Sequence, residues 1–187
     1  MKGKLYIVGT PIGNLEDITL RALKTLQNVD FIAAEDTRVT AKLLNHFNIK
    51  KPLISYFEHN KKEKGILICK KIQSGENCAL VSDAGMPLIS DPGETLVKQC
   101  YELDIDVKIV PGPNAAISAL CLSGMPTGRF TFEGFLSKNK KSRMEHLNSL
   151  KNEYRTMVFY EAPHKIISTL KDFYEFFGDR QISIARE

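Results

Sequence analysis

Short apolar runs alternate with amphipathic stretches along most of the chain, and the two periodicities predict alternating strands and helices. Strands are expected at Leu5–Val8, Phe31–Ala34, Pro52–Ser55, Ala79–Ser82, Val107–Val110, Phe130–Glu133, Met157–Tyr160 and Ile182–Ala185. The helical spacing falls on Leu20–Gln27, Thr40–Phe47, Lys61–Gln73, Thr95–Leu103, Ala115–Leu122, Arg143–Leu150 and Lys165–Phe177. Repeated strand–helix–strand units imply an α/β fold with mainly parallel sheets covered by helices. Breakers cluster in Ser123-Gly124-Met125-Pro126-Thr127-Gly128, which reads as a hinge. The expected organisation is an N-terminal α/β domain over 1–124 and the start of a C-terminal α/β domain over 125–187. The second part looks incomplete, because a small piece buries little surface and its last strand needs a neighbour. A fragment of a longer protein is therefore expected.

Composition narrows the class without naming it. Apolar residues make up 43% of the 187 residues and charged ones 26%, which excludes a disordered chain and a coiled coil. The net charge of +4 permits a polyanionic partner without requiring one. No apolar run approaches the roughly 20 residues that span a bilayer, so no membrane partner is expected. The opening Leu5-Tyr6-Ile7-Val8 reads as a strand rather than a leader, and a cytoplasmic location is expected. Cys69, Cys78, Cys100 and Cys121 are spaced by 9, 22 and 21 residues, which matches no zinc or redox motif. Buried free thiols are the plain reading. Glu161 and His164 have a metal-ligand spacing, but Pro163 between them argues for a turn and no companion ligands are found, so no metal is expected.

The candidate chemistry sits in loops that follow strands. In open α/β sheets ligands bind outside the carboxyl ends of the strands, and this chain places unusual loops there, four of the five rich in Gly and Pro or punctuated by Pro. They are Gly9-Thr10-Pro11-Ile12-Gly13-Asn14-Leu15, Glu35-Asp36-Thr37-Arg38, Ser82 through Gly93, Pro111-Gly112-Pro113-Asn114-Ala115-Ala116 and Glu161-Ala162-Pro163-His164. The first is not a dinucleotide fingerprint, since Pro11 replaces a glycine, yet Glu35 and Asp36 lie where a ribose-binding acid would sit, so a nicotinamide-dependent oxidoreductase remains open. In the long loop, Asp91-Pro92-Gly93-Glu94 reads as a helix start with Asp91 as N-cap. Asp83 has no such structural excuse and is favoured for ligand contact. Met86, Leu88 and Ile89 suit either core packing or a flat apolar ligand. The segment Lys138-Asn139-Lys140-Lys141-Ser142-Arg143 reads as a solvated loop and as the best candidate for phosphate contact.

Together these loops, with Glu133-Gly134-Phe135-Leu136, Phe159-Tyr160-Glu161 and Ala185-Arg186-Glu187, resemble the tetrapyrrole-methylase-like methyltransferases over essentially the whole chain. Within that family the loops resemble the branch that acts on ribosomal RNA. The resemblance implies a two-domain α/β enzyme, usually a homodimer, that holds S-adenosylmethionine between its domains. It implies methyl transfer to the ribose 2′-hydroxyl of a cytidine in the decoding region of 16S ribosomal RNA, free or in the small subunit. By similarity, cofactor contacts are expected from Pro11, Ile12, Asp83, Ala84, Gly85, Leu88, Asn114, Ala115, Tyr160 and Glu161. Glu35 and Asp36 are expected on the substrate side, as candidates for the base that activates the hydroxyl. Arg38, Arg129, Lys138, Lys140, Lys141 and Arg143 are expected to meet RNA phosphates. A porphyrinoid methyltransferase and a non-catalytic RNA-binding module stay open as alternatives.

Overall fold

The computed structural model describes residues 2–186, in two compact units that divide between Asn114 and Ala115. Unit 1 is built on five parallel strands: β1 (Lys4–Val8), β2 (Phe31–Ala34), β3 (Leu53–Ser55), β4 (Cys78–Val81) and β5 (Asp106–Val110). Their spatial order is β3-β2-β4-β1-β5. Four helices connect them: α1 (Leu20–Asn28), α2 (Thr37–His46), α3 (Lys61–Gln73) and α4 (Glu94–Glu102).

The order explains where the helices lie. The chain travels from β1 to β2 and β3 in one direction, then returns through β4 to β5 in the other. Right-handed crossovers send helices formed in opposite directions of travel to opposite faces. Two separate cores result. On one face Ala22, Leu26 and Leu44 of α1 and α2 pack with Val8, Ile32, Ala34, Ala79 and Val81. On the other, Ile68, Cys69, Ile72, Leu96 and Cys100 of α3 and α4 pack with Leu5, Ile7, Phe31, Ala33 and Leu80. The strand residues alternate between the cores with the two-residue period of a pleated strand. Three of the four cysteines, Cys69, Cys78 and Cys100, are buried free thiols, and Cys121 is exposed.

Unit 2 contains α5 (Ala115–Leu122), β6 (Phe130–Phe135), α6 (Lys140–Ser149), β7 (Thr156–Tyr160) and α7 (Ile166–Phe177). Strands β6 and β7 pair in parallel. Ala116 and Leu120 of α5 bury themselves against Val158, with Phe130 and Tyr160 alongside. That packing places α5 in unit 2, so the division lies one helix before the breaker cluster at 123–128. The strand expected at Ile182–Ala185 does not form. Ile182 and Ile184 are exposed, and an extended segment becomes a strand only where a neighbour takes its backbone hydrogen bonds. Among the described residues no helix is long and apolar enough to cross a membrane.

Candidate active site

Strands β1 and β4 are neighbours, and the chain leaves them in opposite directions, so their carboxyl ends flank a crevice. The loops that follow are fastened to each other. The Thr10 N–H donates to the Gly85 carbonyl (2.9 Å), and the Gly85 N–H donates back to the Thr10 carbonyl (3.1 Å). The buried Thr10 hydroxyl reaches the Ser82 carbonyl at 3.3 Å. On the other side of β1, Gly9 lies against Gly112. A Cβ on Gly9 would stand 2.7 Å from the Gly112 Cα, closer than any real contact, so glycine is required for this approach. Pro11 is buried, Ile12 is half-buried against Gly85, and Asn114 is half-buried; Asp83 and Ala84 are exposed.

Four carboxylates gather on this edge. The Asp36 N–H donates to Asp83 Oδ1 (3.0 Å), while the Asp83 N–H donates to the Glu35 carboxylate, which ties the β2 loop to the β4 loop. Glu35 is half-buried. Burial pushes its carboxyl above the usual range, and the negative charges of Asp91 and Asp83 add to the rise. Asp91 is raised as well, mainly by burial, although a hydrogen bond with the Ser82 side chain opposes the shift. Asp36 behaves in the opposite way. Its carboxylate takes a bidentate pair from Arg38, 3.0 Å from Nε to Oδ1 and 2.6 Å from the terminal nitrogen to Oδ2, which holds it down at about 2. Of the two candidate bases, Glu35 is therefore the better proton acceptor, because a general base works best with a pKa nearer neutrality.

Asp91 had read as the N-cap of α4, and the structure corrects this. The helix starts at Glu94 behind Gly93, with no side-chain cap, and Asp91 turns its carboxyl to the crevice cluster instead. The Pro92-Gly93 pair explains the difference: Pro pushes the residue before it towards extended backbone, and Gly93 takes a φ of 146°. The loop also carries Leu88 at a φ of 73° and Ser90 at 65°, conformations unfavourable for non-glycine residues. Met86 and Leu88 pack against the α3/α4 core, whereas Ile89 is exposed.

Unit 2 carries the remaining candidates. The Tyr160 hydroxyl accepts the Ala116 N–H (3.1 Å), and its ring lies edge-on to Phe132 at 5.0 Å. Ala115 is exposed at the first position of α5. Glu161 accepts from the Thr169 hydroxyl (2.6 Å) and the Ala162 N–H (2.8 Å), with Arg143 at 3.9 Å. Arg143 also pairs with Asp172 (2.6 Å) and keeps only 14% of its side chain exposed, so its charge is spent within unit 2. Lys138, Lys140 and Lys141 are exposed, but the last two lie in the first turn of α6, capped by Asn139, rather than in a loop. Arg129 is exposed, and its guanidinium lies 5.8 Å from the Tyr154 ring centre. Arg38 is exposed but committed to Asp36. His59 is exposed against Phe57, and among the described residues no cluster of His, Cys, Asp and Glu could hold a metal ion.

A cavity of about 240 Å³ opens beside the Asp83 loop, lined by Leu15, Val39, Thr40, Lys42, Leu43, Ser82 and Asp83. Thr10 and Asp91 are the participants that the sequence did not reveal. Thr10 sits in an expected binding loop but acts by fastening it, through its backbone and its buried hydroxyl, and Asp91 looked like a cap.

The profile of one family, Tetrapyrrole (Corrin/Porphyrin) Methylases, matches residues 4–187. The chain belongs to this family. It is a family of S-adenosylmethionine-dependent methyltransferases, which sets the nicotinamide reading aside. The chain is 56% identical over 185 residues to the Ribosomal RNA small subunit methyltransferase I of Thermotoga maritima, spanning 99% of this chain and 83% of that protein. It is 54% identical over 186 residues to the protein of the same name from Synechocystis, spanning 99% of this chain and 67% of that one. Among solved structures it resembles the uroporphyrin III C-methyltransferase of Thermus thermophilus with a TM-score of 0.65 and 17% identity, over 95% of this chain and 78% of the other. At that identity the likeness shows the shared fold alone.

Proposed function

We propose that this chain acts in methyl transfer from S-adenosylmethionine to the ribose 2′-hydroxyl of a cytidine in the decoding region of 16S ribosomal RNA. The observation that carries the reading is identity above one half, across nearly the whole chain, to proteins named for methylation of the small-subunit RNA. A porphyrinoid substrate has no comparable support, since the structural likeness to the uroporphyrin III C-methyltransferases of Thermus thermophilus is at 17% to 20% identity and speaks for the fold alone.

The residues at the β1/β4 edge fit the cofactor. S-adenosylmethionine, when bound, supplies a methyl group already activated on a cationic sulfur. The edge offers negative charge and acceptor oxygens in the exposed Asp83, on a loop whose backbone is pinned by the Thr10–Gly85 bridge. Pro11, Ile12, Asp83, Ala84, Gly85, Leu88 and Asn114 of unit 1 are assigned to cofactor contact, with Ala115 and Tyr160 of unit 2, whereas the Glu161 carboxylate is already engaged by Thr169 and Ala162. Alignment of the reacting atoms can supply roughly 7–11 kcal/mol. Glu35, with its raised pKa, is assigned to accept the proton from the ribose hydroxyl at its carboxylate oxygen, a contribution of roughly 10²–10⁴-fold. Asp36 holds Arg38 and the Asp83 carboxylate in place.

The test is calorimetric titration of the chain with S-adenosylmethionine, followed by transfer of labelled methyl into 16S RNA, with uroporphyrinogen as the rival acceptor. Label in the ribose of one cytidine supports the reading. Label only in the porphyrinoid overturns it. A chain that binds RNA but neither binds nor consumes S-adenosylmethionine leaves it a non-catalytic RNA-binding module.

A further inference from the structure

The crevice is acidic, and two of the arginines expected to meet phosphate are committed to carboxylates of their own. An RNA backbone needs cations elsewhere, and one face of unit 1 provides them. Helices α1 and α2 cover the same side of the sheet. Neither Leu20–Asn28 nor Thr37–His46 contains a single Asp or Glu. Arg21 and Lys24 of α1 and Lys42 of α2 are exposed, and none makes an ion pair among the described residues. The opposite side is mixed: α3 carries Glu63 among its lysines, and α4 carries Glu94 and Glu102 beside Lys98.

Helix stability does not account for the α1 pair. Arg21 lies in the first turn, at the positive end of the helix dipole, where a cation is unfavourable, and Lys24 lies mid-helix, where the dipole offers it nothing. The two side chains also help to wall a cavity of about 210 Å³, together with Tyr6, Asn28 and Asn77. Its chemistry is rich in donors. Asn77 uses its side-chain carbonyl to accept the Lys4 N–H (3.1 Å), which leaves its two amide hydrogens as donors. Asp30, the nearest acid after α1, has its carboxylate engaged by the Asn77 N–H at 2.6 Å.

We propose that this face is a phosphate-binding surface for the RNA substrate. The Arg21/Lys24 cavity takes one backbone phosphate, and Lys42 meets another beside the crevice. The inference rests on the RNA-methylation reading and adds the surface that would hold the polyanion, on elements distinct from those first expected to do so.

The experiment is fluorescence anisotropy of a labelled single-stranded RNA oligonucleotide, over a series of salt concentrations. It compares the unaltered chain, the triple variant Arg21→Ala/Lys24→Ala/Lys42→Ala and a charge-matched control, Lys62→Ala/Lys70→Ala/Lys98→Ala, on the α3/α4 side. Each phosphate contact on a single strand contributes about 0.7 to the slope of log affinity against log salt, so loss of the two contacts in the triple variant is expected to take about 1.4 from that slope and about tenfold from the affinity. Calorimetric binding of S-adenosylmethionine and thermal unfolding are expected to match the unaltered chain, and the control is expected to keep its RNA affinity. Equal losses in control and triple variant would show a net-charge effect and overturn the proposal, as would an unchanged slope in the triple variant. An unaltered chain that binds S-adenosylmethionine but no RNA overturns the RNA reading itself, and this surface with it.

Discussion

Two carboxylate clusters in this molecule use the same residue types for opposite ends. In unit 2, Glu161 and Asp172 are matched by Arg143 and the Thr169 hydroxyl, at hydrogen-bond distances from 2.6 to 2.9 Å, and the group is largely buried. In unit 1, the charges of Asp91 and Asp83 raise the proton affinity of the half-buried Glu35, Asp83 does the same to Asp91, and the Arg38 guanidinium spends itself on Asp36. A satisfied cluster holds elements together. An unsatisfied one, at the carboxyl edge of a parallel sheet, keeps its capacity for a ligand that brings donors or positive charge. The comparison also separates two residues that looked alike in sequence, since Glu35 and Asp36 are neighbours in the chain but are shifted in opposite directions.

The largest expected effect comes from the unit 1 cluster. With the proposed reaction, Glu35→Gln removes the proton acceptor and keeps the shape, so turnover with 16S RNA is expected to fall about 10²–10⁴-fold at saturating S-adenosylmethionine. Cofactor affinity, read by calorimetry, is expected to stay as it is. A fall in turnover of less than about tenfold would remove Glu35 from general-base catalysis.

In unit 2 the same logic predicts a stability effect. Arg143→Met leaves Glu161 and Asp172 largely buried without their cation, at a cost of about 3 kcal/mol in denaturant unfolding. The salt slope of RNA binding is expected to be unchanged, because this guanidinium is not free to meet phosphate. A cost below about 1 kcal/mol would place the network with ordinary surface ion pairs and dissolve the contrast between the clusters.

Much of the fold was legible in the sequence. Phe31–Ala34, Lys61–Gln73 and Ala115–Leu122 coincide with β2, α3 and α5 because each carries its period within a few residues and has clear stops. Three errors share one cause, dependence on distant partners. Ile182–Ala185 has strand composition but no strand beside it. Arg143 looked like a solvated charge because Asp172, its partner, lies 29 positions away. Asp91 fits a capping pattern locally, and only the fold brings it to Ser82 and Asp83. Most of the site loops were visible through their Gly/Pro content, and the Arg38 pair that lowers Asp36 is local. The rise of Glu35 comes from burial and from Asp91 and Asp83 on a loop that approaches across the sheet, which no local pattern records.

A smaller effect is expected at the link between the two loops. Asp83→Asn keeps an oxygen to accept the Asp36 N–H but removes the charge. S-adenosylmethionine affinity is expected to fall about tenfold, roughly 1.4 kcal/mol, with folding stability equal to or above that of the unaltered chain, since like-charge repulsion of Glu35 and Asp91 is relieved. Unchanged affinity in the calorimeter would move the cofactor's charge contact to another residue.

The smallest effect tests the repulsion directly. The Glu35 carboxyl is raised above its ordinary value of 4.5, so the folded state holds this proton more tightly than the unfolded chain does. Its contribution to stability is therefore full below pH 4.5 and is lost as pH rises through the higher folded value. Asp91 is one cause of the rise and is itself raised in the same sense. Asp91→Asn removes its charge and one titrating group while retaining an oxygen that can accept from Ser82. The variant is expected to lose less stability than the unaltered chain between pH 4.5 and neutrality, in urea unfolding across that range. Two parallel stability curves would mean that Asp91 does not press on Glu35, and the unit 1 cluster would then reduce to burial of a single carboxyl.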